Sequence, residues 1–301
     1  KLPKNSIMVS CIATVGNVGI TSEESFTNQQ INSLIPYPEI ADFKYLYYFF
    51  KANKSYLESL GGGGSVYTNI SKSKFENMEV VAPPVVEQKQ IAEILSSLDD
   101  KIELNRKINT NLESLTSALF KKWFVDIGDE LPEGWKITEL KNILELNYGK
   151  ALKAEDRVSG KIKVYGSSGI VGFNDKKLVD GPGIIVGRKG NVGSVFWSND
   201  DFFAIDTTYY VKSKFPLTYC YYLLKNQTFV NGDSVVPGLN RDQAYRTEVV
   251  LPSIDALEKF DAIASDLIKS IAVIDRETKN LEQVRDSLLP RLMSGKIRVK
   301  I

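Results

Sequence analysis

Side chains that commonly carry out catalysis are scarce in this sequence. It contains no histidine, which removes the most frequent general base and zinc ligand. Its two cysteines, Cys11 and Cys220, lie in apolar surroundings, so we expect them to be buried, and two thiols alone cannot complete a four-ligand zinc site. The sequence therefore predicts no metal, no cofactor and no catalytic residues.

Motifs of nucleotide-hydrolysing and DNA-methylating enzymes are also missing. There is no Gly-x-x-x-x-Gly-Lys-Ser/Thr P-loop. The amino-methyltransferase motif Asn/Asp-Pro-Pro-Tyr/Phe does not occur, because the only Pro-Pro pair follows Ala82. The carboxylate pairs Glu155-Asp156 and Asp200-Asp201 are expected to be solvated turn residues.

Charge is unevenly distributed along a chain of 301 residues whose formal net charge is only +1. Residues 135–252 contain 16 lysines and arginines against 12 acidic residues, and residues 290–301 contain four against none. A site for a polyanion must therefore be a local patch. No run of 18 apolar residues and no secretory leader is visible, so we expect a cytoplasmic protein without a membrane partner.

Two long segments that could position such patches repeat one another. Residues 84–124 and 253–289 match without a gap at a displacement of 169 positions, so that Leu98 falls on Leu267 and Asn111 on Asn280. A seven-residue apolar period in each copy predicts a coiled-coil helix of about 57 Å that needs a partner to bury its stripe. We expect each copy to be the other's partner. The predicted seam consists of Ile91, Leu98, Asn105, Leu112 and Leu119 in the first copy and Phe260, Leu267, Ile274, Leu281 and Leu288 in the second.

One seam position is polar. Asn105 should cost stability there, but a single buried asparagine can fix the register of a helix pair. An apolar stripe is common to long helices in general, and it is the repetition that favours the coiled coil.

The non-helical parts also repeat. Gly16-Asn17-Val18-Gly19 recurs as Gly190-Asn191-Val192-Gly193, and Tyr47-Tyr48 recurs as Tyr221-Tyr222, both at a displacement of 174. The second globular part opens at about Trp135, some 40 residues before the point that matches Lys1, so the first is expected to lack its leading portion.

These observations predict an α+β protein with two globular α/β domains separated by an antiparallel coiled coil of two long helices. The expected boundaries are a first domain at 1–83, a first helix at 84–125, an acidic linker at 126–134, a second domain at 135–252, a second helix at 253–290, and a C-terminal turn and strand at 291–301.

Shorter elements follow from local sequence. We expect strands at 7–14 and 183–186, tight turns at 16–19 and 190–193, and aromatic helices at 43–53 and 217–226. A strand should end at Val80-Val81 and another at Val249-Val250, each followed by a proline that opens a long helix. Pro290 should end the second long helix, Gly295 should cap a last turn, and Ile297, Val299 and Ile301 should alternate in a closing strand.

In combination, these features resemble the DNA-specificity subunit of Type I restriction–modification systems. The stretches that carry the resemblance are LPKNSIMVSCIATVGNVGI, FTNQQIN, NISKSKFENMEVVAPPVVEQKQIAEILSSLD and LLPRLMSGKI. The similarity covers essentially the whole chain, although each stretch alone would be weak.

The resemblance implies a non-catalytic subunit with two target-recognition domains, each of which binds half of a split sequence in double-stranded DNA. The two conserved helices would separate the domains and dock two methyltransferase subunits, and restriction subunits would join the full complex. The incomplete first domain leaves its own specificity open.

Candidate DNA contacts follow from this resemblance. Arginine commonly contacts guanine, lysine contacts phosphate, and glutamine or asparagine contacts adenine. The candidates in the second domain are Arg188, Lys189, Asn191, Asn240, Arg241, Lys150 and Lys153. The candidates in the first are Asn17, Gln29, Gln30, Tyr67, Asn69 and Lys72, and we expect Ala13-Thr14 and Ser71-Lys72 to correspond to Arg188-Lys189 and Asn240-Arg241.

Less specific interpretations remain for these residues. Arg188 and Arg241 could serve surface solubility, Gln29 and Gln30 could bond within their domain, and Lys150 and Lys153 could be solvated loop residues. For the whole chain, the alternative is a repeat-built adaptor that binds only proteins. An enzyme in its own right would need a catalytic group that the sequence does not offer.

Overall fold

A computed structural model describes residues 1–62, 69–128, 130–229 and 238–300. The chain divides into two compact units, each considered by itself. The first unit contains residues 1–108 and 274–301, and the second contains residues 109–273. No helix within the described ranges combines the length and apolarity needed to cross a membrane.

The described residues of the first part of the chain supply a small sheet and four α-helices. The sheet has the strand order β2-β1-β3, with both neighbours antiparallel to the central strand. Its strands are β1 (Ile7–Ser10), β2 (Val18–Ile20) and β3 (Ile31–Leu34), and the helices are α1 (Phe43–Ala52), α2 (Lys54–Leu60), α3 (Lys72–Glu76) and the long α4 (Val85–Phe124).

The second part supplies nine strands and three helices among its described residues. The strands are β4 (Lys136–Glu139), β5 (Leu144–Tyr148), β6 (Ile162–Gly166), β7 (Gly169–Asn174), β8 (Gly183–Gly187), β9 (Val195–Ser198), β10 (Phe202–Ala204), β11 (Thr208–Ser213) and β12 (Glu248–Leu251). The helices are α5 (Leu217–Lys225), α6 (Arg241–Tyr245) and the long α7 (Ile254–Met293). The strand orders are β5-β11-β8-β9, β10-β6-β7 and β12-β4.

The two long helices form an antiparallel pair in each unit. In the first unit Asp99 contacts Arg285, and Asn105 contacts Glu277. A later residue of α4 therefore contacts an earlier residue of α7, as in an antiparallel pair. In the second unit Phe120 contacts Phe260, with 5.7 Å between ring centroids. This confirms the predicted antiparallel coiled coil.

All ten predicted seam residues are buried or half-buried, and a second set lies four positions after each of them. The second set alternates with the first in spacings of three and four, the geometry of knobs-into-holes packing. It consists of Leu95, Ile102, Asn109, Thr116 and Trp123 on α4, and Ala264, Ile271, Thr278, Arg285 and Leu292 on α7. The seam therefore contains more polar residues than Asn105, which is the one polar residue that the seven-residue period predicts there.

Polar contacts interrupt the apolar seam of the first unit. The Asn105 side chain is 1% exposed and donates from Nδ2 to Glu277 Oε2 at 2.8 Å. Asp99 accepts from Arg285 Nη1 at 2.7 Å and from the Tyr48 hydroxyl at 2.8 Å. Burial alone would raise the pKa of Asp99, but the hydrogen bonds from Arg285 and Tyr48 and the charge of Lys51 outweigh burial and hold that pKa below its usual value.

Each aromatic helix packs against the long-helix pair of its own unit. In the first unit Tyr45 and Tyr48 of α1 join a core with Ile91, Leu95 and Leu289. In the second unit Tyr219 and Tyr222 of α5 join Phe120, Phe124 and Phe260. The second tyrosine of each repeated pair is thus a core residue.

Several local predictions are wrong. The strand predicted to end at Val80-Val81 does not form, because residues 78–84 are not in a strand. In the second unit the corresponding strand, β12, pairs with β4. The described residues of 1–83 contain no strand that corresponds to β4. Helix α7 continues through Pro290 to Met293, because buried Leu289 and Leu292 hold its last turn against the core. Gly295 does cap that turn at φ +71°, but Ile297 and Val299 pack as irregular chain and Ile301 lies outside the described residues.

The predicted turns differ in detail. Strand β1 ends at Ser10, and Gly19 lies within β2, so only Gly16 of the first glycine pair has a positive φ, at +81°. The Gly16 N–H donates to the Ser10 carbonyl at 3.0 Å, as the Gly193 N–H donates to the Gly187 carbonyl at 2.9 Å. Gly16 therefore corresponds to Gly193, a displacement of 177 rather than the 174 that the Gly-Asn-Val-Gly match predicts.

Replacement of Asp99 by asparagine should destabilise the protein by about 2 kcal/mol at pH 7, because it removes the less exposed of the two carboxylates that pair with Arg285 and leaves only the exposed Asp286. The matched control Glu282→Gln breaks the more exposed pair with Arg106 and should cost less than about 1 kcal/mol. Since the folded pKa of Asp99 is lowered, its stabilising effect is present above about pH 5, and the D99N deficit should shrink as pH falls below about 4. Urea unfolding across pH measures this, and equal deficits in both variants would contradict it.

Replacement of Ala13 by glycine should stabilise the protein by about 0.5–1 kcal/mol, because Ala13 has a φ of +62° that disfavours a Cβ atom. The corresponding position in the second copy is Gly190, at φ +78°. The reciprocal change Gly190→Ala should cost about 1 kcal/mol. Urea midpoints test both changes, and a loss of stability in Ala13→Gly would contradict the strain.

Candidate nucleic-acid interface

One end of the four-stranded sheet in the second unit collects arginine and tyrosine side chains. Tyr148 is the last residue of β5, Arg188 directly follows β8, and Arg241 is the first residue of α6. The backbone joins these elements, since the Leu239 N–H donates to the Arg188 carbonyl at 2.8 Å. Residues that are distant in sequence therefore meet at one surface, which we call the arginine–tyrosine cluster (Tyr148, Arg188, Tyr209, Arg241).

Both guanidinium groups lie against the same ring. The Cζ atoms of Arg188 and Arg241 are 4.9 and 5.0 Å from the centroid of Tyr148, within the range of cation–π attraction. Tyr148 is 47% exposed, so the cluster is at the surface. The ring holds two like charges close together, an arrangement that an anion would stabilise.

Additional contacts orient the two arginines. Arg188 donates from Nη1 to the Asp206 carbonyl at 3.0 Å and lies 5.8 Å from the ring of Tyr209. Burial and a hydrogen bond with Tyr148 raise the pKa of Tyr209 to about 12, although nearby Arg188 opposes the shift. Tyr209 is therefore neutral at physiological pH, and its hydroxyl donates to the Leu239 carbonyl at 3.1 Å.

In the described part of the chain, no acidic side chain pairs with the positive charges of this surface. Across the described ranges, no carboxylate lies within 4.0 Å of the charged nitrogens of Arg188, Lys189, Arg241 or Lys150. The buried Nε of Arg241 also has no hydrogen-bond partner there. Guanidinium groups with free donors suit acceptor pairs such as phosphate oxygens or the guanine edge.

The remaining candidates of the second unit have mixed surroundings. Asn191 is exposed beside Ser167, whose Oγ accepts from the Asn191 N–H at 3.4 Å. Asn240 caps α6, because its Oδ1 accepts from the Asp242 and Gln243 N–H groups. Lys153 forms an ion pair with Glu155 at 3.5 Å, whereas Lys150 is exposed next to the cluster.

The candidates of the first unit form a more polar, less charged surface. Gln29 and Gln30 are exposed, and their carbonyl oxygens accept from Cys11 Sγ at 3.6 Å and the Cys11 N–H at 2.9 Å. Asn17 Oδ1 accepts from Lys54 Nζ at 3.1 Å. Lys72 opens α3 and pairs with Glu76 at 3.5 Å, the Asn69 N–H bonds to the Gly61 carbonyl, and Tyr67 lies outside the described residues.

Backbone hydrogen bonds change the correspondence between the two surfaces. The Arg188 carbonyl accepts from Leu239 as the Cys11 carbonyl accepts from Ile70, so the counterpart of Arg188 is Cys11. The predicted counterpart of Arg188-Lys189, Ala13-Thr14, is therefore wrong by two positions. The counterpart of Arg241 is Lys72, in agreement with the prediction.

Sequence reasoning missed Tyr148 and Tyr209. Tyr148 ends β5, and Tyr209 lies near the start of β11, which pairs with β5. The sequence does not indicate this pairing, and only the pairing brings the two rings to the two arginines. Among the described residues, no group of three or more histidine, cysteine, aspartate or glutamate side chains could hold a metal ion.

Comparison with known proteins identifies the family. Residues 1–114 and 132–283 match the model of the Type I restriction modification DNA specificity domain. The MjaIX specificity subunit of a Type I restriction enzyme from Methanocaldococcus jannaschii is 26% identical over 99% of this chain and 79% of its own length. The MjaVIII specificity subunit from the same organism is 28% identical over 95% of this chain and 76% of its own length.

The fold is also that of a known structure. The S subunit of a Type I restriction–modification system from M. genitalium aligns over 100% of this chain and 84% of its own, with a TM-score of 0.70 and 22% identity. The two matched segments, the repeated fold and these relatives show that the chain belongs to the Type I restriction–modification specificity family, as a non-catalytic specificity subunit with two recognition domains.

Proposed function

We propose that this subunit recognises a bipartite sequence in double-stranded DNA, with one half-site bound by each recognition domain. The arginine–tyrosine cluster is the DNA contact of the second domain. The observation that carries this proposal is the pair of guanidinium groups that share the Tyr148 ring without an acidic partner in the described part of the chain.

The chemistry of the cluster favours nucleic acid over a neutral ligand. Arginine is always charged, and its planar donors match paired acceptors on phosphate and guanine. Tyr148 and Tyr209 limit the motion of Arg188, so less side-chain entropy is lost on binding. Exposed Lys150 and Lys189 add charge beside the two arginines and would contact the DNA backbone.

The first domain uses the equivalent surface with fewer charges. Exposed Gln29, Gln30 and Asn69 and the cation Lys72 are its candidate contacts. Two recognition domains joined in one chain bind a split target more tightly than either alone, because the second contact becomes intramolecular.

Partner binding is the second part of the proposal. Three exposed apolar residues of α4 recur on α7 at the same displacement of 169, and all six are between 39% and 56% exposed. They are Ile94, Leu104 and Leu115 on α4, and Ile263, Val273 and Val284 on α7. Each unit contains one residue of every pair.

Repetition of exposed apolar residues suggests two equivalent docking surfaces. An apolar residue at an exposed helix position adds little to the fold, so its recurrence fits two copies of one partner. We assign these surfaces to two methyltransferase subunits, through which restriction subunits would join. The relatives' names, which place them in Type I restriction enzymes, support this assignment.

Removal of the two arginines tests the DNA contact. Arg188→Ala with Arg241→Ala should weaken duplex binding by the methyltransferase complex at least about tenfold and lower the slope of log K against log salt by up to about 2. The control Lys212→Ala with Lys214→Ala removes the same charge at exposed positions of the same unit and should change affinity by less than about threefold. Binding titrations at several salt concentrations give both quantities.

The opposite outcomes are informative for the DNA contact. Equal losses in the arginine pair and the lysine pair would show only a nonspecific charge effect. Salt-independent or absent DNA binding by the complete complex would favour a protein-binding adaptor.

Charged residues in the repeated apolar surface test partner docking. Leu104→Glu with Val273→Glu should weaken association with methyltransferase subunits by at least about tenfold, because a buried unpaired carboxylate is costly in an interface. The control Ser114→Glu with Gln283→Glu adds the same charge at repeat-related exposed polar positions. Co-purification and mass photometry measure the assembly. If both variants assemble normally, the docking surface lies elsewhere.

A further inference from the structure

One backbone framework underlies the surfaces of both domains. In the first unit the Cys11 N–H donates to the Gln30 carbonyl and the Asn32 side chain donates to the Ile70 carbonyl. In the second, the Arg188 N–H donates to the Thr207 carbonyl and the Tyr209 hydroxyl donates to the Leu239 carbonyl. The hydrogen bonds match position by position, and those of the two side chains both measure 3.1 Å.

The side chains presented by this framework differ in chemistry. Cys11 replaces Arg188, Asn32 replaces Tyr209, and the adjacent Gln29 and Gln30 replace Asp206 and Thr207. The second domain therefore presents guanidinium donors at this edge. The first domain presents carboxamides, each of which combines donors and an acceptor.

Arg188 is held in a defined position. Its Nη1 is engaged by the Asp206 carbonyl, its guanidinium lies against Tyr148, and its backbone is bonded on both sides, to Thr207 and Leu239. The remaining donors of a fixed guanidinium can make two parallel bonds to the O6 and N7 acceptors of guanine. The Lys189 N–H also donates to the Thr207 carbonyl, but among the described residues no contact restrains its exposed side chain, which suits phosphate.

Gln29 and Gln30 present the complementary chemistry. Both main chains are fixed by Cys11, whereas within the described residues neither side chain has a hydrogen-bond partner. A carboxamide can donate to N7 and accept from N6 of adenine, a pattern that a guanidinium cannot match because it has no acceptor.

We propose that the two domains recognise half-sites of different base chemistry, with Arg188 contacting a guanine in one and the Gln29–Gln30 pair contacting an adenine in the other. This inference rests on the proposed DNA-reading function and assigns its specificity residues. It makes Arg188 a base contact rather than a phosphate contact, and the two roles have different experimental signatures.

The experiment uses the chain assembled with its methyltransferase subunits and selects bound duplexes from a randomised DNA library at two salt concentrations. The original protein should enrich a two-part sequence with a guanine in one part. Arg188→Gln should reduce the preference for guanine at a single base pair by about 5- to 150-fold and leave the other half-site unchanged. Arg188→Lys retains the charge and should also lose this preference while the salt dependence is retained.

The first domain provides the reciprocal test. Gln29→Ala with Gln30→Ala should relax an adenine preference in the half-site that Arg188→Gln leaves intact. Native mass spectrometry of each variant complex verifies that assembly is preserved.

Three results of the selection would contradict different parts of the proposal. If Arg188→Gln weakens binding equally for all sequences, Arg188 contacts phosphate and the inference is overturned. If both sets of variants enrich the original sequence, the base assignments are wrong although bipartite reading stands. If the original complex enriches no sequence, the proposed function itself fails.

Discussion

The pairing of α4 with α7 is the constraint on which the remainder of the structure depends. Neither helix could bury its apolar stripe alone, and most helical stability in proteins comes from packing. Within each unit the pair also forms the surface on which the small aromatic helix of that unit packs, through Tyr48 in one and Tyr222 in the other. The sheets that carry the candidate DNA contacts are therefore positioned by a helix pair that contributes no such contact itself.

The two units use this pairing with different chemistry. Asp99, Arg285 and Tyr48 form a charged network in the first unit, whereas Phe120, Phe124 and Phe260 form an aromatic cluster in the second. Repeat positions explain the difference, because Asp99 corresponds to Ile268 and Arg285 to Thr116. A duplicated fold has thus kept its geometry while the interactions that stabilise each copy have diverged.

Sequence periodicity predicted the long helices because a seven-residue repeat over 40 residues leaves few alternatives. It found Asn105 but not Asn109, Thr116 or Arg285, because polar residues at the second seam position do not stand out in an apolar pattern. The Gly-Asn-Val-Gly match failed for a related reason. Short identical strings can align by chance, whereas Gly16 and Gly193 are related by the hydrogen bond that each N–H makes.

The candidate DNA contacts were partly predictable. Arg188 and Arg241 stood out as cations beside turn residues, but their meeting at Tyr148 depends on the pairing of β5, β11 and β8 and could not be read from the sequence. The strand expected at Val80-Val81 failed because strands need partners, and propensity says nothing about whether a partner is present.

The first unit is formed by two separate stretches of the chain, and this affects the order in which the protein can fold during synthesis. Residues 1–108 are completed only by residues 274–301, whereas the second unit is a continuous stretch at 109–273. Since a chain leaves the ribosome from its N-terminus, residues 109–273 can fold while residues 1–108 still lack the helix that covers Ile91 and Leu95. Ile91 and Leu95 thus reach their buried environment only after the final helix has been made, whereas the core around Ile7 and Val9 is formed within residues 7–78.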